Sequence, residues 1–516
     1  MKNLTNYLSS LLDRGEYKTA RDCILKELES KEADQKPTSA SLKEIELYGF
    51  LIDIGCSSLN PDDIKGGITF MIDKEEEIKN IITPSSYYYN LANAFHGLCK
   101  IFYSQKNGVH PISTSREYFQ QPIDLYWLAY RNTDKNDTSL KYQIQINLAN
   151  SLMLNHRIVE AIQILDNVLK ERPNLPQAVI SRADHLQTLS WATNPPVTIA
   201  LFAQIFTAYK KGIETTALPL NIHQRCLTMM EEVKQKIISH SFSINDVEIE
   251  IKESQKEFEN HSPYIKFCIE NFLTLNEHSL YCSCIATSKD DIQIGISNAV
   301  FKSKLLPKLE LLLNRIKSEY AFARWNYYQS FTKEAFDYDV IFSELFEGDV
   351  ISSQSEALRA SFRICYGILD KIALGICKLY RTEGGNIYFE RFWEDKARKE
   401  ILENQRNIHL NALSSIANDL NTKRGELKHF KNWRNKIEHN LLILQQKTKL
   451  NLDSYDILED KDFIAVVDIN DFKANTVQLL QLTRAAIFSY VYCVRLETIT
   501  SEDPASTSAA TIGLKQ

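Results

Sequence analysis

The segment Trp433-Arg434-Asn435-Lys436-Ile437-Glu438-His439 carries the residue types that chemistry on a phosphodiester needs. An imidazole exchanges protons near neutral pH. A guanidinium stabilises charge growing on phosphoryl oxygens through its planar fork. RNA supplies its own nucleophile, the 2′-OH, so an arginine and a histidine can act without a metal. Arg434 and His439 are therefore the candidate catalytic pair, with Asn435 placed to orient the phosphate or the imidazole. The spacing alone is weakly specific, because Arg424 and His429 repeat it nearby. On a helix with Trp433 at zero, Ile437, Leu441 and Leu444 fall within about 80° and form a core-facing stripe. Asn435 and His439 fall near roughly 200° and 240°, on a face turned away from that core. Arg434 and Glu438 lie on the flank between. Their other reading is an i,i+4 ion pair on a solvated face, worth a few tenths of a kcal/mol.

Charge around the segment favours phosphate. Lys423, Arg424, Lys428, Lys431, Arg434 and Lys436 are set against Glu426 alone, within a chain whose formal charge is −6. Lys428, Lys431 and Lys436 are the candidate RNA-facing lysines. The chain as a whole is too acidic to coat nucleic acid uniformly. Earlier in the chain Arg363, Gly367 and Asp370 share one helix face, with Lys371 beside it. Asp370 has two open readings: it holds Arg434 or His439 in place, or it pairs with Lys371 or Arg324 for the fold alone.

No metal or cofactor is expected. The ten cysteines are scattered without a CxxC, and Cys282 and Cys284 form a lone CxC that lacks the two-pair spacing of a zinc site. They read as reduced cytoplasmic thiols packed as small apolar residues. No P-loop, GxGxxG, HExxH or GxSxG is found. The first residues do not form a signal peptide, and no 18-residue apolar run predicts a membrane span.

The elements that must position these residues are helical. Only 16 Gly and 13 Pro occur in 516 residues, which favours long helices over many strands. Leu4, Leu8, Leu11, Ala20, Ile24 and Leu25 recur at helical spacing across a break at Asp13–Glu16. The pattern returns at 142–173, where Asn155-His156-Arg157 turns the chain and Pro173 stops it. Asn90–Phe95 is echoed by Asn147–Leu152. This apolar–small–apolar order resembles a tetratricopeptide repeat without its usual Trp and Gly. A concave face for a peptide or protein is expected. Residues 244–256 alternate briefly and read as a short strand or a helix start, with a boundary near 255–262. Beyond it, helices are expected at 309–323, 355–380, 400–420, 430–447 and 474–496, with a short strand at 464–467 and a disordered tail at 501–516.

With its surroundings, the segment 433–439 resembles the active-site motif of HEPN domains, many of which are metal-independent endoribonucleases. Ser355–Arg359 with Phe362–Ala373 resembles the second helix of one HEPN subfamily, and Ile316–Tyr320 with Ala323-Arg324 its first. Ile387–Phe389 with Phe392-Trp393 resembles the connector, and Thr483–Ala486 the last helix. That subfamily is often fused behind tetratricopeptide-like repeats. The resemblance implies an all-α protein, with tetratricopeptide-like helical repeats over 1–255 and a HEPN helical bundle over 262–498. It implies RNA as partner, a homodimer that brings two Arg434–His439 sets to one cleft, and 2′,3′-cyclic phosphate and 5′-OH products. Supporting roles fall to Asn435, Asp370 and Glu438. A bacterial defence, toxin or stress role follows, with the repeats as control. The competing expectation is a degenerate HEPN domain that binds RNA or protein without cleaving.

Overall fold

The computed structural model describes residues 2–32, 40–106, 108–134, 136–192, 199–215, 218–295, 306–331, 350, 352–382, 387–446 and 462–502. The fold is all-α, with one pair of short strands among the described residues. It divides into two compact units, the first holding Met1–His185 and Phe206–Val233, the second Leu186–Ile205 and Lys234–Ala510.

The first unit is built from consecutive helices: α1 (Lys2–Asp13), α2 (Tyr17–Glu32), α3 (Leu42–Ser58), α4 (Pro61–Asp73), α5 (Pro84–Gln105), α6 (Gln120–Arg131), α7 (Thr138–Leu154) and α8 (Ile158–Glu171). The break between α1 and α2 falls at Arg14–Glu16, where Gly15 takes a φ of +74° that a glycine adopts without penalty. Ala20 is fully buried against Leu8, Leu11 and Ile24. The echoing segments on α5 and α7 touch: Asn147 Nδ2 donates to the Tyr89 hydroxyl at 3.1 Å and to Asn93 Oδ1 at 3.0 Å. Four further helices follow: α9 (Pro176–Ala192), α10 (Ile199–Thr215), α11 (Leu220–Ser239) and α12 (Ile244–Phe258). The last settles the alternation at 244–256 as helix, begun by a capping box in which Ser243 and Asp246 serve each other's backbone amides.

The second unit continues through α13 (Pro263–Glu270), α14 (Leu306–Gln329), α15 (Ser353–Tyr380), α16 (Lys396–Glu403), α17 (Ile408–Asp419), α18 (Lys428–His439), β1 (Leu441–Gln445), β2 (Ile464–Asp468) and α19 (Ile469–Glu502). Its core lies where α15 crosses α14 and α19. At Gly375 a Cβ would sit 2.6 Å from the Tyr490 ring, so this crossing of α15 and α19 requires glycine. By length and composition α19 could cross a membrane, but its most apolar window is 83% buried, as in a core helix. Residues 503–516, most of the expected tail, lie outside the described residues, as do Gly384 and Gly385, the expected stop of the helix over 355–380.

Two expected helices are corrected. The helix over 400–420 is two, α16 and α17, separated at Asn404–Asn407, because Asn407 caps the second by accepting from the His409 amide at 3.1 Å. The helix over 430–447 ends at His439. Leu441–Gln445 is instead a strand, parallel to Ile464–Asp468 with Leu441 opposite Ile464. A run of four apolar residues fits a buried strand as well as a helix, and periodicity cannot separate them. Leu441 and Leu444 therefore leave the stripe of Trp433 and Ile437.

Candidate functional site

α18 is fixed at its start by a turn that only glycine fits. A Cβ on Gly425 would lie 2.3 Å from the Asp419 carbonyl oxygen. The same carbonyl accepts from the Leu427 amide at 2.7 Å. Phe430 then buries completely, edge-on to Phe362 of α15 at 5.5 Å, and Trp433 packs on Phe472 of α19 at 5.5 Å. Deleting a buried Phe costs about 3–5 kcal/mol, so this aromatic contact fixes the helix's rotation.

That rotation turns Arg434 and Asn435 into a pocket of about 200 Å³. Tyr366 and Asp370 of α15, Tyr388, Glu390 and Arg391 of the connector, and Lys431 complete its lining. Arg434 Nη1 donates to Asn435 Oδ1 at 3.2 Å. Among the described residues it makes no ion pair with Glu438, which is exposed, so the i,i+4 reading does not hold here. Asp370 Oδ1 accepts from the Phe389 amide at 2.9 Å. Burial pushes the Asp370 carboxyl above its usual range, opposed by that amide and by the Arg434 charge. The other partners considered for Asp370 are engaged elsewhere: Lys371 pairs with Glu319 at 3.0 Å and Arg324 with Asp290 at 2.6 Å.

The three lysines take different places. Lys428 is exposed at the start of α18. Lys431 lines the pocket, where it pairs with buried Glu390 and lies 5.9 Å from the Tyr388 ring centre. Burial and the nearby Arg434 charge still hold its ammonium below the usual lysine range. Lys436 is the correction: it is only 4% exposed, and its ammonium donates to the Asp462 carbonyl just before β2. The strand pair that replaces the end of the helix covers it, so it does not face a phosphate in this fold.

His439 is exposed at the last position of α18 and does not line the pocket. Five residues of helix place it roughly 140° around the axis and about 7.5 Å along from Arg434. The chain thus brings Arg434, Asn435, Asp370 and Lys431 together and leaves His439 on the outer surface. His429, of the competing Arg-x4-His, is held by Asn475 Oδ1 at 3.1 Å.

Tyr366 and Tyr388 were not singled out as site residues from sequence. The Tyr366 hydroxyl is buried and makes no hydrogen bond. Its signal was its place one helical turn before Asp370 on α15, which puts both on one face.

Residues 300–497 match the family model described as LA2681-like HEPN. The matched stretch holds α14 to α18, both strands, most of α19 and the whole pocket, and it points to an RNA- or nucleotide-related function for this region. No curated protein and no solved structure matches the chain.

Proposed function

We propose that the C-terminal unit is a metal-independent HEPN-type endoribonuclease that works as a homodimer. The observation that carries this reading is the division of α18, with Arg434 and Asn435 set in a pocket and His439 exposed at the helix end. One chain then presents an anion-binding group in the pocket and, one helical turn beyond Asn435, a proton-transfer group outside it. A two-fold axis near the end of α18 would bring both halves of two chains to one cleft.

In this reading His439 takes the proton from the RNA 2′-OH. The 2′-oxygen bonds to phosphorus, the P–O5′ bond breaks, and the leaving 5′-oxygen takes a proton from the second chain's His439. Arg434 stabilises the charge on the non-bridging oxygens, and Asn435 fixes the guanidinium. Asp370 opposes the Arg434 charge from α15 and sets its place. Glu438, one residue before His439, adds a negative charge beside the imidazole. The products are a 2′,3′-cyclic phosphate and a 5′-OH. Lys428 holds the strand outside the pocket. The repeat-like helices of the first unit would control this activity through a peptide or protein ligand, in a cytoplasmic defence or stress role. That none of the ten cysteines forms a disulfide supports a reducing compartment.

The test is cleavage of labelled single-stranded RNA and tRNA in EDTA by wild type, Arg434→Ala and His439→Ala. Loss in both variants, with cyclic phosphate ends from wild type, supports the reading. One observation favours a binding module instead: the pocket is complete without His439. RNA or nucleotide bound through Arg434, with no cleavage by any form, would establish that reading.

A further inference from the structure

Between α13 and α14 the chain runs from Asn271 to Gly295 with two short 3-10 turns, Glu277–Leu280 and Ile285–Ser288, as its only helical structure. A loop of this length needs anchors. Arg484 of α19, 1% exposed, donates to the Thr274 carbonyl at 2.8 Å. Arg324 of α14 donates to the Leu273 carbonyl at 2.9 Å. Asn276 ties the loop to itself by donating to the Ala286 and Lys289 carbonyls, each at 2.9 Å.

At the centre of this anchored loop stand His278, Cys282 and Cys284, each offering one ligand atom, all within 4.8 Å of one another. Both cysteines are buried. Three details fit a metal better than plain packing. His278 Nε2 is buried, and the group beside it is the Cys284 side chain rather than a nitrogen or oxygen partner. His278 Nδ1 lies 3.1 Å from the Tyr281 hydroxyl, the outer-shell contact that fixes a metal-bound imidazole and leaves Nε2 its lone pair. The Cys284 amide donates to Cys282 Sγ at 3.4 Å, a bond that favours a thiolate at that sulfur.

We propose that His278, Cys282 and Cys284 bind a zinc ion. Two thiolates and an imidazole are a donor set suited to zinc and supply three of its four tetrahedral positions, the fourth being left to water. The ion joins the two 3-10 turns and stiffens the loop that Arg324 and Arg484 hold. The site lies outside residues 300–497 and shares no residue with the Arg434 pocket. The zinc takes no part in RNA cleavage. The sequence signal was His-x3-Cys-x-Cys, a CxC completed by a histidine four residues earlier.

The test uses the full chain, purified under reducing conditions. Zinc content is measured, the metal is removed by chelation, and cobalt(II) is titrated while circular dichroism follows the fold. The expected result is one zinc per chain and a thiolate-to-cobalt charge-transfer band that saturates at one equivalent. Cys284→Ser should weaken the band strongly, whereas Cys226→Ser, a buried cysteine of the other unit, should leave it unchanged. Zinc should also raise the melting temperature. Folded, reduced wild-type chain that holds no zinc and shows no cobalt–thiolate band overturns the proposal, as does a band that persists at full strength without both Cys282 and Cys284. The wild-type titration decides even where a variant fails to fold. None of these readouts depends on Arg434 or His439, so the nuclease reading stands or falls separately.

Discussion

The two compact units bury polar groups of different kinds. Among the described residues the first unit buries two charged side chains, Asp63 and Arg157, with several neutral groups such as Ser85, His110, Asn155 and His185. The second buries Glu277, Arg324, Glu390, Arg398, Asp419, Lys436, Asp468 and Arg484. Buried charges cost stability unless paired, so they are kept where geometry must be fixed. In the second unit they fix an irregular loop at Arg324 and Arg484 and line a pocket at Glu390. In the first, apolar ridges and neutral hydrogen bonds hold regular helices, and no comparable charge is required.

The sharpest way to break this contrast is at Arg324. Its guanidinium meets Asp290 at 2.6 Å and the Leu273 carbonyl at 2.9 Å. Arg324→Met leaves half-buried Asp290 with only the Leu275 amide, strips the Leu273 carbonyl of its donor, and should cost about 3 kcal/mol in urea unfolding. A cost under about 1 kcal/mol would mean that the buried charges are incidental.

Catalysis gives the next effect. Arg434→Ala should lower cleavage by about 10²–10³-fold with the fold intact, as loss of an oxyanion-stabilising donor does. Equal rates would place the chemistry elsewhere.

Acid should separate the units. His185 is buried, and burial lowers its pKa from 6.5 to about 3; His96, held to Ser151 at 2.7 Å, is lowered likewise. A group whose folded pKa is depressed stabilises the fold above its unfolded value and loses that contribution as pH falls through the folded one. The first unit should therefore weaken between about pH 6.5 and about 3. Hydrogen exchange on the full chain, corrected for intrinsic rate, should show protection lost from α5 and α9 on acidification. Unchanged protection there would remove the neutral histidines from the account.

Two substitutions give smaller effects and sharpen the site. Asp370 has a raised carboxyl, so its ionised form opposes folding, and the stability tied to its protonated form is lost as pH rises through its folded value. Asp370→Asn should keep or slightly raise stability at neutral pH while lowering cleavage; lower stability with full activity would reverse its assignment. Lys428→Ala, at an exposed position, should leave stability unchanged and reduce the salt dependence of RNA binding by about one phosphate contact. The buried Lys436 should do the opposite on substitution, with stability lost first.

Much of this was legible in the residues. The break at Asp13–Glu16, the turn at Asn155–Arg157 and the helical stripes around Leu313 and Phe362 follow from local spacing, which sequence displays directly. The motif on α18 was legible because Trp433 and Ile437 mark its inner face. What escaped depends on partners distant in the chain. Leu441–Leu444 became a strand because Ile464–Val467 pairs with it, and the same pairing covers Lys436. Tyr366 is buried like a core residue, yet it borders the pocket with Tyr388 of the connector. Cys282 and Cys284 read as packing because His278 was not counted with them.

The central claim is that Arg434 and His439 on α18 cleave RNA without a catalytic metal. The most direct measurement is single-turnover cleavage of labelled RNA in EDTA by wild type beside His439→Ala, with both proteins shown to be folded and to bind RNA equally. The account predicts cyclic phosphate and 5′-OH ends from wild type and no cleavage by the variant. Equal cleavage by both, or none by either despite equal binding, would contradict it.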